Sequence, residues 1–375
     1  MVSLTRVDKL EYLVLVDNSG LPTYAADTGI ERLSKLPPGF SHELPAHLAH
    51  AHKDELTGLP VTAFEDFCCG AHGLSILITT TIQGRTHQVL FDAGPEGLSI
   101  DRNVQSMRTD LTALDALVLS HWHRDHSGGI LRALEMRNEQ AAAAGKAIHP
   151  VSVDLHPDRP IRRGLAPGPK YIPVTNWLPD PTFEEMAERN GRADLHADAH
   201  EITVNGPSGV FVSGEIPRVH PWEKGLKGAV TWMVDNDGTG EWCTDEKLAD
   251  ERYVAVDVKG KGLVLFSACS HAGICNVVTD AVRRFDRPVY QVVGGLHLIP
   301  VETQPVAETV EFLATKVHPR PQWIVPLHCT GFAPRAALAE AFGDRCVPSG
   351  VGIKVVVQGD DAADAKLDDE GMQGI

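Results

Sequence analysis

Three imidazoles and one carboxylate fall within six residues in Leu117-Val-Leu-Ser-His121-Trp-His123-Arg-Asp125-His126-Ser-Gly128-Gly129. The string follows an apolar run that reads as a strand and precedes a segment with helical spacing. A tight strand-to-helix turn can therefore aim these side chains at one point, and neutral imidazole with carboxylate suits Zn²⁺ or Fe. Eighteen histidines in 375 residues mean little by count; their placement carries the argument. Three further apolar runs end in a histidine: Ser267-Ala-Cys269-Ser270-His271, Gly294-Gly295-Leu-His297 and Pro326-Leu-His328-Cys329-Thr330-Gly331. No Gly-x-Ser-x-Gly elbow is present, consistent with an activated water rather than a protein nucleophile.

The His-x-His-x-Asp-His string resembles the signature of the metallo-β-lactamase superfamily. Val89-Leu-Phe-Asp92-Ala-Gly94 matches that superfamily's early strand, whose Asp supports the metal loop. The Cys-Ser-His and His-Cys-Thr-Gly segments, with Leu13–Asn18, Ala71–Ser75, His156-Pro157-Asp158 and Ser213–Arg218, resemble the branch of 7,8-dihydropterin-6-methyl-4-(β-D-ribofuranosyl)aminobenzene-5′-phosphate synthase. The resemblance runs from about Lys9 to Val356. It implies two divalent metal ions, zinc first with iron or manganese admissible, and no organic cofactor. His121 and His123 would hold one metal, Asp125 and His126 the second, with His271 and His328 completing the set. His328 is preferred over His297 as the closing ligand, since it follows the last strand before a glycine turn. His297 would then line the pocket and pass a proton to the leaving group, while Asp125 also orients the attacking water. One departure is that many superfamily members carry a metal-bridging Asp where this chain has Cys269, Ser270 and His271; Cys269 and Cys329 are soft donors beside the histidines.

Around these residues recur short β-branched or aliphatic runs bounded by Gly, Asp and Pro: 12–16, 74–81, 87–91, 116–119, 210–212, 253–258, 263–266, 289–293 and 323–327. These read as strands. Helical spacing marks 129–145, 181–190, 276–285, 306–317 and 334–342. The mixture indicates an α/β layered fold, and the resemblance makes it the four-layer αβ/βα sandwich, one domain over 1–357. Two segments break the rhythm: 20–63, a Pro-, Gly- and His-rich insertion whose His42, His47, His50 and His52 read as surface residues, and 154–208, whose prolines suggest a lid.

The chain has 34 Lys+Arg against 50 Asp+Glu, a formal charge of −16. No basic run is present, which argues against a nucleic-acid partner. Residues 358–375 hold six acids and one lysine and have almost nothing apolar to bury, so they read as a solvated acidic tail. No apolar stretch reaches the roughly 18 to 20 residues of a membrane helix, and the N-terminus lacks a signal-peptide pattern. Seven cysteines, two of them adjacent, argue for reduced thiols and a cytoplasmic protein. Arg159, Arg162 and Arg163 after His156, and Arg218 further on, offer planar forks for phosphate or carboxylate; His156, Arg163 and Arg218 are the predicted substrate contacts. The leading expectation is a metal-dependent hydrolase of a small ester, lactone, amide or phosphoester. The alternatives are a pterin-related synthase that condenses a pterin precursor with a ribosyl-aminobenzene phosphate, and a non-enzymatic metal-binding or redox protein.

Overall fold

The computed structural model describes residues 4–20, 36–42, 53–59, 61, 67–204, 206–299, 304–347 and 349–362. In chain order the strands are β1 (Lys9–Val16), β2 (Phe40–His42), β3 (Ser75–Ile82), β4 (Arg85–Phe91), β5 (Leu114–Val118), β6 (Val151–Leu155), β7 (Arg163–Leu165), β8 (Thr175–Asn176), β9 (Gly191–Leu195), β10 (His200–Thr203), β11 (Pro207–Val212), β12 (Ala229–Val234), β13 (Gly240–Thr244), β14 (Val254–Val258), β15 (Gly262–Ser267), β16 (Val289–Gly295), β17 (Trp323–Leu327) and β18 (Ile353–Gln358). The helices are α1 (Gly97–Ser106), α2 (Arg124–Ser127), α3 (Ile130–Ala143), α4 (Phe183–Ala187), α5 (Ile274–Phe285), α6 (Val306–Glu311) and α7 (Phe332–Phe342).

The period-2 alternation of each central strand sends side chains to two different cores. In β1, Leu10, Tyr12 and Val14 enter a core between two sheets, while Leu15 packs beneath α1 and α3. In β15, Val264 and Phe266 enter the same central core, and Leu263 and Leu265 pack under α5. Both faces being covered is why these strands read as unbroken apolar runs. The layers are helix, sheet, sheet, helix. One sheet has the order β2-β18-β1-β3-β4-β5-β6-β9 and the other β10-β11-β14-β15-β16-β17. Edge-to-face packing of Tyr12 on Phe266, centroids 5.2 Å apart, locks the central core.

A third, smaller sheet, β13-β12-β7-β8, lies outside the two main ones. The 154–208 segment is thus divided rather than being one irregular lid. β9 and β10 extend the two main sheets, and only β7 and β8 join the third sheet. Of the 20–63 insertion, Phe40–His42 forms an edge strand on β18, and Phe40 is buried against Trp323. His47, His50 and His52 lie outside the described residues, as do residues 363–375 of the acidic tail. Among the described residues no helix is long and apolar enough to cross a membrane.

Candidate metal centre

The histidines sit where parallel strands end. His121, His123, Asp125 and His126 follow β5; Cys269 and His271 follow β15; His297 follows β16; His328 follows β17. The turn after β5 is very tight. A Cβ on Gly128 would lie 1.8 Å from the Pro95 carbonyl oxygen and one on Gly129 2.0 Å from that of Ala93, so the Gly-Gly pair lets the loop press onto the Asp92 turn. Asp92, His297 and His328 all hold left-handed φ values of 58°, 46° and 42°. Such strain persists where surrounding contacts impose it, commonly at functional sites.

Four imidazoles are each tied by Nδ1 to a group that must accept. His126 Nδ1 is 2.7 Å from Asp92 Oδ2, and His271 Nδ1 is 2.9 Å from Glu251 Oε1. A carboxylate only accepts, so both Nδ1 atoms carry the proton. His328 Nδ1 is 2.8 Å from Asn18 Oδ1, an oxygen that also accepts from Gly73 N–H. His121 Nδ1 is 2.9 Å from Ser120 Oγ, whose hydroxyl donates to Asp92. In the neutral rings the lone pair therefore resides on Nε2, the arrangement that orients imidazole for metal binding. Backbone bonds add to this: Asp17 Oδ1 accepts from His328 N at 2.6 Å, and Glu251 accepts from His271 N and Ala272 N.

The free ends converge into two groups. Asp125, His126, Cys269 and His328 offer donor atoms that all lie within 4.8 Å of one another, and so do His121, Cys269 and His271. His123 stacks beside the second group, 4.5 Å from His121 and 4.9 Å from His271 between ring centroids. Nε2 of His121 and of His123 is buried with no hydrogen-bond partner. Orphaned buried nitrogens are costly unless something occupies the space between them, so the donor set fits divalent metal ions. Burial, then the neighbouring imidazoles, holds His121 and His123 well below their ordinary pKa, so both are neutral. Burial would raise Asp125, but the charge of His126 and the hydrogen bonds from His328 and His72 hold it well below the carboxylate range. Burial likewise opposes charge on His126, yet Asp125 and Asp92 lift it to about 9. To hold a metal ion, Nε2 of His126 would have to give up that proton.

The groups open onto a cavity of about 410 Å³. Its walls include His123, Asp125, Cys269, His271, His297 and His328, with Leu165, Trp177, Leu226 and Ile299 on the apolar side. The third sheet supplies this apolar wall through Leu165, at the end of β7. Among the described residues, Arg124 is the one arginine lining it. His297 lies in the wall, 4.6 Å from His271 between centroids, and belongs to neither donor group.

No comparable convergence gathers the three predicted substrate contacts. Arg163 does not line the cavity: it is buried, forks onto Asp250 at 2.6 and 3.0 Å, and bonds Asp245 at 2.9 Å. Arg218 spends its guanidinium on the carbonyls of His271 and Lys247. His156 lines a separate hollow with Ser213, Gly214 and Glu215, and its carbonyl accepts from Trp122 Nε1. The carboxylates of Asp250 and Asp245 make the buried Arg163 a structural partner rather than a substrate contact. The supporting Asp17, Asn18 and Glu251, and His72 at the cavity mouth 3.4 Å from Asp125, were not singled out by spacing.

No protein-family model matches the chain. Over 273 residues it is 27% identical to the 7,8-dihydropterin-6-methyl-4-(β-D-ribofuranosyl)-aminobenzene-5′-phosphate synthase of Methanocaldococcus jannaschii, covering 72% of this chain and 85% of that protein. A second, uncharacterised protein of the same organism is 26% identical over 279 residues, covering 74% and 91%. The crystal structure of Tm1679, described as a metal-dependent hydrolase of the β-lactamase superfamily, superposes with a TM-score of 0.61 over 93% of this chain and 99% of that one, at 19% identity. The chain has the metallo-β-lactamase fold. In this metallo-β-lactamase fold the donor groups lie at the strand ends that the sequence motifs indicate.

Proposed function

We propose that this chain is a metal-dependent hydrolase of a small ester, lactone, amide or phosphoester. The observation that carries the reading is the convergence of pre-oriented, unpartnered imidazole nitrogens and one carboxylate in the lining of an open cavity. His121, His123 and His271 would hold one ion, and Asp125, His126 and His328 a second, zinc before iron or manganese. Bound there, divalent ions supply an acidified water and polarise a substrate oxygen. The chain's own side chains do the rest. Asp125, ionised, accepts a hydrogen bond from the attacking water and orients it. His297 stands in the wall to donate a proton to the leaving group. Leu165, Trp177, Leu226 and Ile299 exclude water and hold the apolar part of the substrate, and Arg124 meets any anionic group.

A second reading, a synthase joining a pterin precursor to a ribosyl-aminobenzene phosphate, is favoured by the name of the 27% identical relative and by the flat indole face of Trp177 in the wall. Elemental analysis with activity assay decides between them. For the hydrolase we expect close to two metal equivalents in wild type, fewer in Asp125→Asn, and turnover of at least one substrate in an ester, lactone, amide and phosphoester panel. Condensation of a pterin precursor that carries a diphosphate leaving group with the ribosyl-aminobenzene phosphate, read as released pyrophosphate, with no hydrolysis across the panel, favours the synthase. No bound metal after reconstitution with zinc, iron or manganese overturns both.

A further inference from the structure

Cys269 lies at the point the two donor groups share. Its thiol is buried, 3% exposed, and its Sγ counts among the mutually close donor atoms of both groups, 3.2 Å from His126 Nε2. The anions nearby do not share that position. Asp125 Oδ2 faces His72, His126 and His328, at 3.4, 3.7 and 3.3 Å, and belongs to one group only. Asp92 and Glu251 stand behind the rings, bonded to Nδ1 atoms. Asp17 is spent on backbone N–H groups. Among the described residues, Cys269 Sγ is therefore the one donor atom common to both groups that can carry negative charge.

We propose that Cys269, as a thiolate, bridges the two metal ions. This rests on the metal-binding reading above. A thiolate sulfur has lone pairs for two cations at once. Its proton passes to solvent as the metals bind, so loading consumes no oxidant and breaks only the S–H bond. The neighbouring Cys329 does not fill the same role: its Sγ points at the Cys269 carbonyl oxygen, 3.3 Å away, and it belongs to neither donor group. A soft bridge also bears on metal choice, because thiolate favours zinc, ferrous iron and cobalt over manganese and magnesium.

Cobalt loading of the full chain tests this without reference to turnover. We expect two cobalt equivalents and a sulfur-to-cobalt charge-transfer band in the near ultraviolet. Cobalt-edge X-ray absorption should find one sulfur neighbour per cobalt, against half that number for a sulfur held by a single ion. The band should persist in Cys329→Ser and vanish in Cys269→Ser or Cys269→Asp; the wild-type sulfur count stands even where a Cys269 variant fails to fold. Two bound cobalt ions with no band, with half a sulfur each, or with a band that depends on Cys329 would overturn the bridge and leave the dinuclear reading intact. Failure to bind cobalt at all would remove both.

Discussion

Each imidazole at the centre is a two-ended group, and what holds the far end decides where the near end points. Glu251 is the clearest case, because three donors from one turn, His271 N, His271 Nδ1 and Ala272 N, all end on its carboxylate. Glu251→Gln keeps the size and one acceptor oxygen but removes the charge and one acceptor. Losing such a support commonly costs about 10- to 100-fold in metal affinity, so competition with a chelator should show metal retention weakened by about that factor while circular dichroism is unchanged. An unchanged affinity would mean that packing alone holds the ring. The clustered histidines were legible because their spacing along the chain is itself the constraint. Glu251 was not, and Asp17 and Asn18 entered only as the end of the Leu13–Asn18 segment with no role attached, because nothing local assigns a carboxylate or amide to an imidazole it meets only after 20 or 310 residues of chain.

At the scale of elements, the polar side chains act as ties between strands. Arg163, on β7, reaches Asp250 and the Trp122 carbonyl, and Asp250 also accepts from Trp122 N at 2.7 Å. This pair fastens the third sheet to the metal loop. Removing one partner of a buried ion pair costs about 3 to 5 kcal/mol, so Arg163→Ala should lower the urea midpoint by that equivalent, and Arg163→Lys, lacking the planar fork, should recover little of it. A second tie joins the main sheets: His200 at the start of β10 bonds Asp154 of β6 at 2.8 Å, with Arg252 on the other carboxylate oxygen. Burial opposes charge on His200, but Asp154 outweighs it and raises the imidazole above its ordinary value. A raised histidine contributes stability that is complete below its unfolded pKa, about 6.5, and fades as pH climbs through the folded value. Denaturation at pH 6 and pH 9 should therefore show a larger pH-linked loss of stability in wild type than in His200→Gln; equal slopes would show that the pair is not ionised as drawn. The strands that such ties serve differed in legibility. β4, β5 and β14 to β17 read plainly, since most are apolar on both faces. β9, β10, β12 and β13 did not, because their exposed positions carry the mixed residues of a loop. α1, Gly-Leu-Ser-Ile-Asp-Arg-Asn-Val-Gln-Ser, lacks an apolar stripe and starts only because Glu96 accepts from Leu98 N and Ser99 N.

For the whole molecule, the donors come from both halves of the sandwich. His121, His123, Asp125 and His126 follow a strand of the eight-stranded sheet, whereas Cys269, His271 and His328 follow strands of the six-stranded one. Each donor group therefore mixes side chains of the two sheets. A ligand that binds only the folded arrangement stabilises it by RT ln(1 + [L]/Kd), about 2.7 kcal/mol at a hundredfold excess over Kd. In a chain of this size that corresponds to an increase in Tm of about 3 °C, reversed by chelation. The form of the transition carries further information. The central core, with Tyr12 and Phe266 from opposite sheets in contact, couples the halves by itself, so the whole transition should move as one when zinc is added. Calorimetry of the zinc-loaded and chelated protein checks this. Two resolved transitions, with zinc displacing only one, would mean that the sheets melt separately and that the ions are held within one half instead of across the seam.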